Sequence, residues 1–194
     1  MIDESGLHST TVNLTYQGAN MNIVKIIIIV FASIQMFSQD SSNQEFLQRI
    51  NELRTKKNIE PLLYDDELYA LGKKWGNFIL KELKSYSDSS ILAIASVDRN
   101  YFHIKANERF DAVLKKDYIL SIGENLHFYM DTKPVSDMVE RSFSGWKYST
   151  SHYLQMVNKE LTHVAYYDCY DPTLRRYVCI SVYAKKRLHY HSKK

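Results

Sequence analysis

A carboxylate and an imidazole stand out in this 194-residue chain. The carboxylate is Glu124, within Ile122-Gly123-Glu124-Asn125-Leu126. The imidazole is His152, which follows Trp146 and Ser149 at equal spacing. Such a pair can orient the ring, act together as a general base, or share a divalent cation. Each residue also has a purely structural use. Glu124 can accept backbone amides and tie down a loop. His152, beside Ser149 and Ser151, can be a hydrogen-bonded core histidine, and Asn125 suits loop support. Trp146 and Trp75 read as core residues, since burying a large ring is a dominant packing effect. Other chemistries lack their residues. Ser142-Phe143-Ser144-Gly145 does not have the Gly-x-Ser-x-Gly order of a nucleophile elbow. Neither a His-Glu-x-x-His pair nor a glycine-rich phosphate loop occurs.

The elements that must position these groups are mostly helical. Phe46, Leu47, Ile50 and Leu53 repeat at helical spacing, and Asn58-Ile59-Glu60-Pro61 stops that helix. Asp65 is the expected N-cap of a second, with Asp66 and Glu67 in its first turn and Leu68, Leu71, Trp75, Phe78, Ile79 and Leu83 inward. Residues 85–100 read as loop, with an apolar patch at Ile91-Leu92-Ala93-Ile94. Helices are expected over 107–115, 132–145 (capped by Thr132, with Pro134 in the first turn) and 151–157. Then the period changes. Thr162–Tyr170 and Arg176–Ala184 are β-branched and aromatic around a Pro-containing turn, which marks an antiparallel hairpin. Helices followed by a hairpin predict an α+β layered domain.

Cys169 and Cys179 flank that turn. With Leu174 at its centre the two would face each other, and an oxidising compartment would keep them as a disulfide. Closing so short a loop contributes about 2.5–3 kcal/mol on the chain-entropy model.

The N-terminal region points to export. Residues 1–20 are polar and read as an extension ahead of the true start at Met21. Lys25 then precedes an apolar run of about a dozen residues, Ile26 to Ile34 at its core, where a membrane span needs about 20. Residues 21–39 therefore read as a signal peptide cleaved near Gln39. The product is a single domain over 40–194, with no stable transmembrane segment and a secreted or periplasmic location. Its net charge of +4, against +3 for the whole chain, is too mild to predict nucleic-acid binding. The basic end, Lys185-Lys186-Arg187 to Lys193-Lys194, reads as solvated.

The ordered motifs resemble one family. They run Asn51-Glu-Leu-Arg54, then Ile59-Glu-Pro61-Leu62-Leu63-Tyr64-Asp65 with Leu68, then Gly123-Glu124-Asn125-Leu126, then Trp146-Lys-Tyr-Ser149-Thr-Ser-His152-Tyr-Leu-Gln-Met156, then the hairpin. This resembles the CAP domain (SCP, or cysteine-rich secretory protein, antigen 5 and pathogenesis-related) in its compact bacterial form, over nearly all of the mature chain. The resemblance implies a three-layer α-β-α sandwich around a small antiparallel sheet. It also implies a cleft with two histidines and two acidic residues. Glu124 takes the first acidic position, His152 the second histidine and His103 the first, after a longer stretch than usual. Ser149 stands at the second acidic position, as in many bacterial members. Two imidazoles, with Glu124 nearby, would bind zinc weakly through His103 and His152. The function implied is exported binding of a peptide, lipid or envelope component without catalysis. The alternative is a cell-envelope or secreted hydrolase, using His and Glu directly or a metal.

Overall fold

The structure is a computed structural model that describes residues 41–97, 102–130 and 136–187. The expected extension and signal peptide lie outside the described residues.

Residues 41–55 form helix α1. Phe46 and Ile50 face inward as the periodicity requires, and both are fully buried. Asn51 explains why the chain turns after α1. Its side chain donates to Leu62 O (2.9 Å) and accepts from Leu62 N (2.7 Å), so one amide satisfies both backbone groups of an otherwise unpaired residue. The short strand β1, Leu63–Tyr64, follows. Helix α2, Asp66–Glu82, starts where its cap predicts: Asp65 Oδ1 accepts from Leu68 N at 2.9 Å. A 3-10 turn, Leu83–Ser85, ends it.

The stretch read as loop contains a helix, α3 (Asp88–Val97). Ser87 starts it by accepting from Ser90 N, and Ile91 is its buried anchor. Behind so serine-rich a start, no apolar period was visible. Helix α4 spans Ala106–Leu114, α5 spans Met138–Tyr148 and α6 spans Thr150–Met156. Thr132 and Pro134, the expected start of the fifth helix, lie outside the described residues.

The larger difference is strand β2, Ile119–Met130, which contains Gly123-Glu124-Asn125. It pairs antiparallel with β4, Arg176–Lys186, which pairs antiparallel with β3, His163–Asp171. The sheet order is β1-β3-β4-β2, with β1 parallel to β3, so a two-residue parallel edge is added to the antiparallel sheet expected. One face of the sheet packs on α2 and α4 through Leu68, Trp75, Ile79, Val113, Leu126, Ile180 and Val182. The other packs on α1, α5 and α6 through Phe46, Ile50, Val139, Trp146, Met156, Tyr166 and Tyr183. This is the three-layer α-β-α sandwich. With Ser121, Gly123, Glu124, Asn125 and His127 interspersed among its apolar residues, β2 shows no apolar/polar alternation, which is why its sequence does not read as a strand.

The hairpin register corrects the expected disulfide. Asp171 pairs with Arg176 across a four-residue turn, so Cys169 lies opposite Val178 and Cys179 opposite Asp168. Asp171 Oδ1 sets that turn by accepting from Thr173 N (2.9 Å) and Leu174 N (3.1 Å). The centre thus falls before Leu174. A one-residue slip puts two side chains on opposite faces: Cys169 packs against the α2 side and Cys179 against the α1 side. Both cysteines are free. Burial pushes the Cys169 thiol up to about 12 and raises that of Cys179 too, so neither supplies a ready thiolate.

The basic end departs from expectation as well. Lys186 is not solvated: its ammonium contacts Asp65 (2.6 Å) and Glu67 (3.0 Å), and Lys185 pairs with Glu160. Lys193 and Lys194 lie outside the described residues.

Candidate functional site

The site straddles the free edge of β2. Successive residues of a strand point to opposite faces. Glu124 therefore faces α4 and the segment before it, while Gly123, Asn125 and His127 face α5 and α6.

On the α4 side, Glu124 is almost fully buried and fully engaged. Arg109 of α4 grips it at two points, Nη1 to Oε2 and Nη2 to Oε1, both 2.7 Å. His103 Nδ1 lies 2.9 Å from Oε1. Arg109 is itself fixed: its Nε donates to Ile104 O (3.0 Å), and the guanidinium stacks 4.7 Å over the Trp75 ring. Burial alone would raise the Glu124 carboxyl. The hydrogen bonds from His103 and Arg109, and the Arg109 charge, outweigh it and hold the carboxyl below the usual range. An ionised Glu124 can only accept, so His103 carries its proton on Nδ1 and leaves Nε2 free. His103 remains 24 % exposed and reachable from solvent, against 1 % for the Glu124 side chain.

On the α6 side, His152 is held through its main chain. Asn125 Nδ2 donates to His152 O at 3.1 Å. At the far end of α6, Arg54 donates to Met156 O (3.1 Å), Asn158 O (2.9 Å) and Leu161 O (3.3 Å), and its Nε to Glu60 O (2.7 Å). Four backbone oxygens thus converge on one guanidinium, with no carboxylate among its partners. Seven residues of helix cannot hold themselves, and these contacts do it. Burial lowers the His152 ring's proton affinity, and the nearby His103 and His127 imidazoles lower it further.

The two ring centroids of His103 and His152 are 6.4 Å apart at 39°. Both Glu124 oxygens are engaged by Arg109 and His103, so the carboxylate serves to orient His103. Ser149 is the N-cap residue of α6, and its hydroxyl pairs with that of Ser151 at 3.4 Å rather than with either histidine. Asn125 ties strand β2 to α6 through His152 O. For a metal, the donor set is two imidazoles. Among the described residues, no group of three or more His, Cys, Asp or Glu is arranged to hold an ion. Two Zn–N bonds of about 2 Å and two ring radii reach the observed 6.4 Å only in a straight line, so a tetrahedral ion needs the rings roughly 1 Å closer. With that small closure the two imidazoles would hold an ion whose remaining positions are filled by water.

A family model described as the cysteine-rich secretory protein family, CAP, matches residues 47–183. The chain belongs to that family. Among solved structures, it is similar to an outer surface protein from Borrelia burgdorferi: 18% identity, TM-score 0.52, covering 74% of this chain and 92% of that one. It is also similar to an extracellular protein containing an SCP domain from Bacillus anthracis: 15% identity, TM-score 0.48, covering 76% of this chain and 41% of that one. No curated protein matches the sequence significantly.

Within this CAP domain, sequence reasoning missed three contributors. Arg109 was not singled out, yet it fixes the charge of Glu124. His127 was not considered. It packs so tightly on α5 that a Cβ at Gly145 would lie 2.9 Å from two of its ring atoms. Burial lowers its proton affinity as well. Arg54 was noted within a motif, but nothing in Asn51-Glu-Leu-Arg54 says that its partners lie more than a hundred residues away. The one signal available was an arginine on the apolar stripe of α1, four residues after Ile50.

Proposed function

We propose that this CAP domain is an exported binding protein whose cleft, between His103 and His152, takes a divalent cation such as zinc weakly. The observation that carries this reading is the division of roles around His103. Glu124, neutralised by Arg109, fixes the Nδ1 proton and leaves the Nε2 lone pair to ligate, on a side chain that is 24 % exposed to solvent and has a second imidazole close by. A carboxylate behind a histidine is the usual support of a metal-ligating ring. When bound, the ion supplies a positive centre that draws an oxygen or nitrogen donor of a partner into the cleft. Such a donor suits a peptide, a lipid headgroup or another envelope component. The reading includes cleavage near Gln39 and a mature chain starting there. No helix among the described residues is long and apolar enough to cross a membrane.

The hydrolase alternative keeps one supporting feature, since Glu124 and His103 form the base half of such a machine. Ser149 does not join them, because its hydroxyl pairs with Ser151 rather than with either histidine. Zinc titration followed by the ring resonances of His103 and His152 tests the binding reading. Both rings are expected to shift together and saturate. Zinc that leaves both unmoved rejects it.

A further inference from the structure

Gln155 lies one turn after His152 on α6, on the same helix face. Long helical side chains lean toward the helix N-terminus, the end of α6 that carries His152. The Gln155 carboxamide rests on the bare backbone of Gly123, next in sequence to Glu124. A Cβ at position 123 would fall onto this amide, 3.1 Å from Cδ and 3.5 Å from Oε1, and nearer still to the nitrogen. Glycine at 123 thus leaves a seat at the edge of β2 that the Gln155 amide fills. Nothing among the described residues hydrogen-bonds that amide. It stands beside the cleft with one acceptor and two donor protons unused.

Resting on the reading that the cleft takes a divalent cation, we infer that Gln155 is the third protein contact of that ion, its carboxamide holding a water on the ion. The seat at Gly123 places the amide, and His103 and His152 supply the direct ligands. This assigns a purpose to the glycine of Gly123-Glu124-Asn125 that no backbone strain explains.

The experiment measures zinc affinity of the purified protein by competition with a chromophoric chelator, with thermal melts confirming that each variant folds. Gln155→Ala is expected to weaken zinc about tenfold, the usual cost of losing an outer-shell partner. Gly123→Ala, which pushes aside the far end of a flexible side chain, should weaken it similarly and add nothing on top of Gln155→Ala. Gln155→Glu puts a carboxylate at the same point and should tighten zinc about tenfold. Unchanged affinity in both Gln155 variants, with binding lost in His152→Ala, overturns the role of Gln155 and leaves the cleft reading standing. Zinc binding that survives His152→Ala, or that the unaltered protein lacks, overturns the cleft reading and this inference with it.

Discussion

Two buried arginines hold the two halves of the cleft, and they do it with opposite chemistry. Arg54 gives its hydrogen bonds to four neutral backbone oxygens around the end of α6. Arg109 gives two to one carboxylate. Burial lowers the proton affinity of Arg54, with no carboxylate to offset it, and the gain is geometric: one planar cation fixes the main chain of three segments. Arg109 fixes a charge instead, and through that charge the tautomer of His103. The α6 half is therefore fixed by hydrogen bonds to its main chain, and the α4 half by electrostatics. A shallow binding site needs both: one wall that stays in place and one ring whose free nitrogen is defined.

This contrast can be broken by experiment. The largest effect is expected at Arg54. Arg54→Met strands four backbone acceptors, two of them in fully buried hydrogen bonds, and charged hydrogen bonds of this kind stabilise enough that about 4 kcal/mol should be lost in urea denaturation. Arg54→Lys should recover little, because a compact ammonium cannot reproduce the planar fork. Next comes Arg109→Met, which leaves Glu124 buried without its partner and should cost about 3 kcal/mol. Here the comparison sharpens: adding Glu124→Gln should restore much of the loss, since the stranded group is a charge. Failure of that rescue would mean that Arg109, like Arg54, acts through packing.

The smallest effect is the pH dependence. His127 and His152 hold protons less readily in the folded chain than free imidazole does. Between about pH 6.5 and their lower folded values the unfolded state binds more protons, so stability falls as pH drops through that window. Glu124 is held low, so its contribution is present above the ordinary carboxyl range of about 4.3 and is lost only as pH falls below it. Acid destabilisation should therefore begin near neutrality with the histidines. Urea midpoints at about pH 7.5 and 5.5 check this, and His127→Gln should reduce the difference. A flat profile between those two points would show that the rings stay solvated.

Much of the frame was readable because it rests on local physics. The Asp65 cap, the apolar stripes of α1 and α2, and the strands on either side of Pro172 each follow from neighbours a few residues apart. The motifs Gly123-Glu124-Asn125 and Trp146…His152 were also visible, because residue type and spacing are properties of the chain alone. The turn between the two strands was visible too, but not its centre. The cysteine pairing failed on that one residue, because the choice depended on how Asp171 satisfied two amides within the turn. Strand β2 was hidden by the polar residues and glycine that break its alternation, and α3 by its serine-rich start.

The sequence by itself determined the helices, the closing hairpin, and that Glu124, Asn125 and His152 sit in well-defined local settings. Only tertiary structure decided that Glu124 orients His103, that Arg109 sets its charge, and that Arg54 and Gly123 seat the helix carrying His152. The reason is range. Caps and periodicities act within a turn of helix, whereas a buried arginine bonds whatever oxygens the folded chain brings to it, from anywhere along its length.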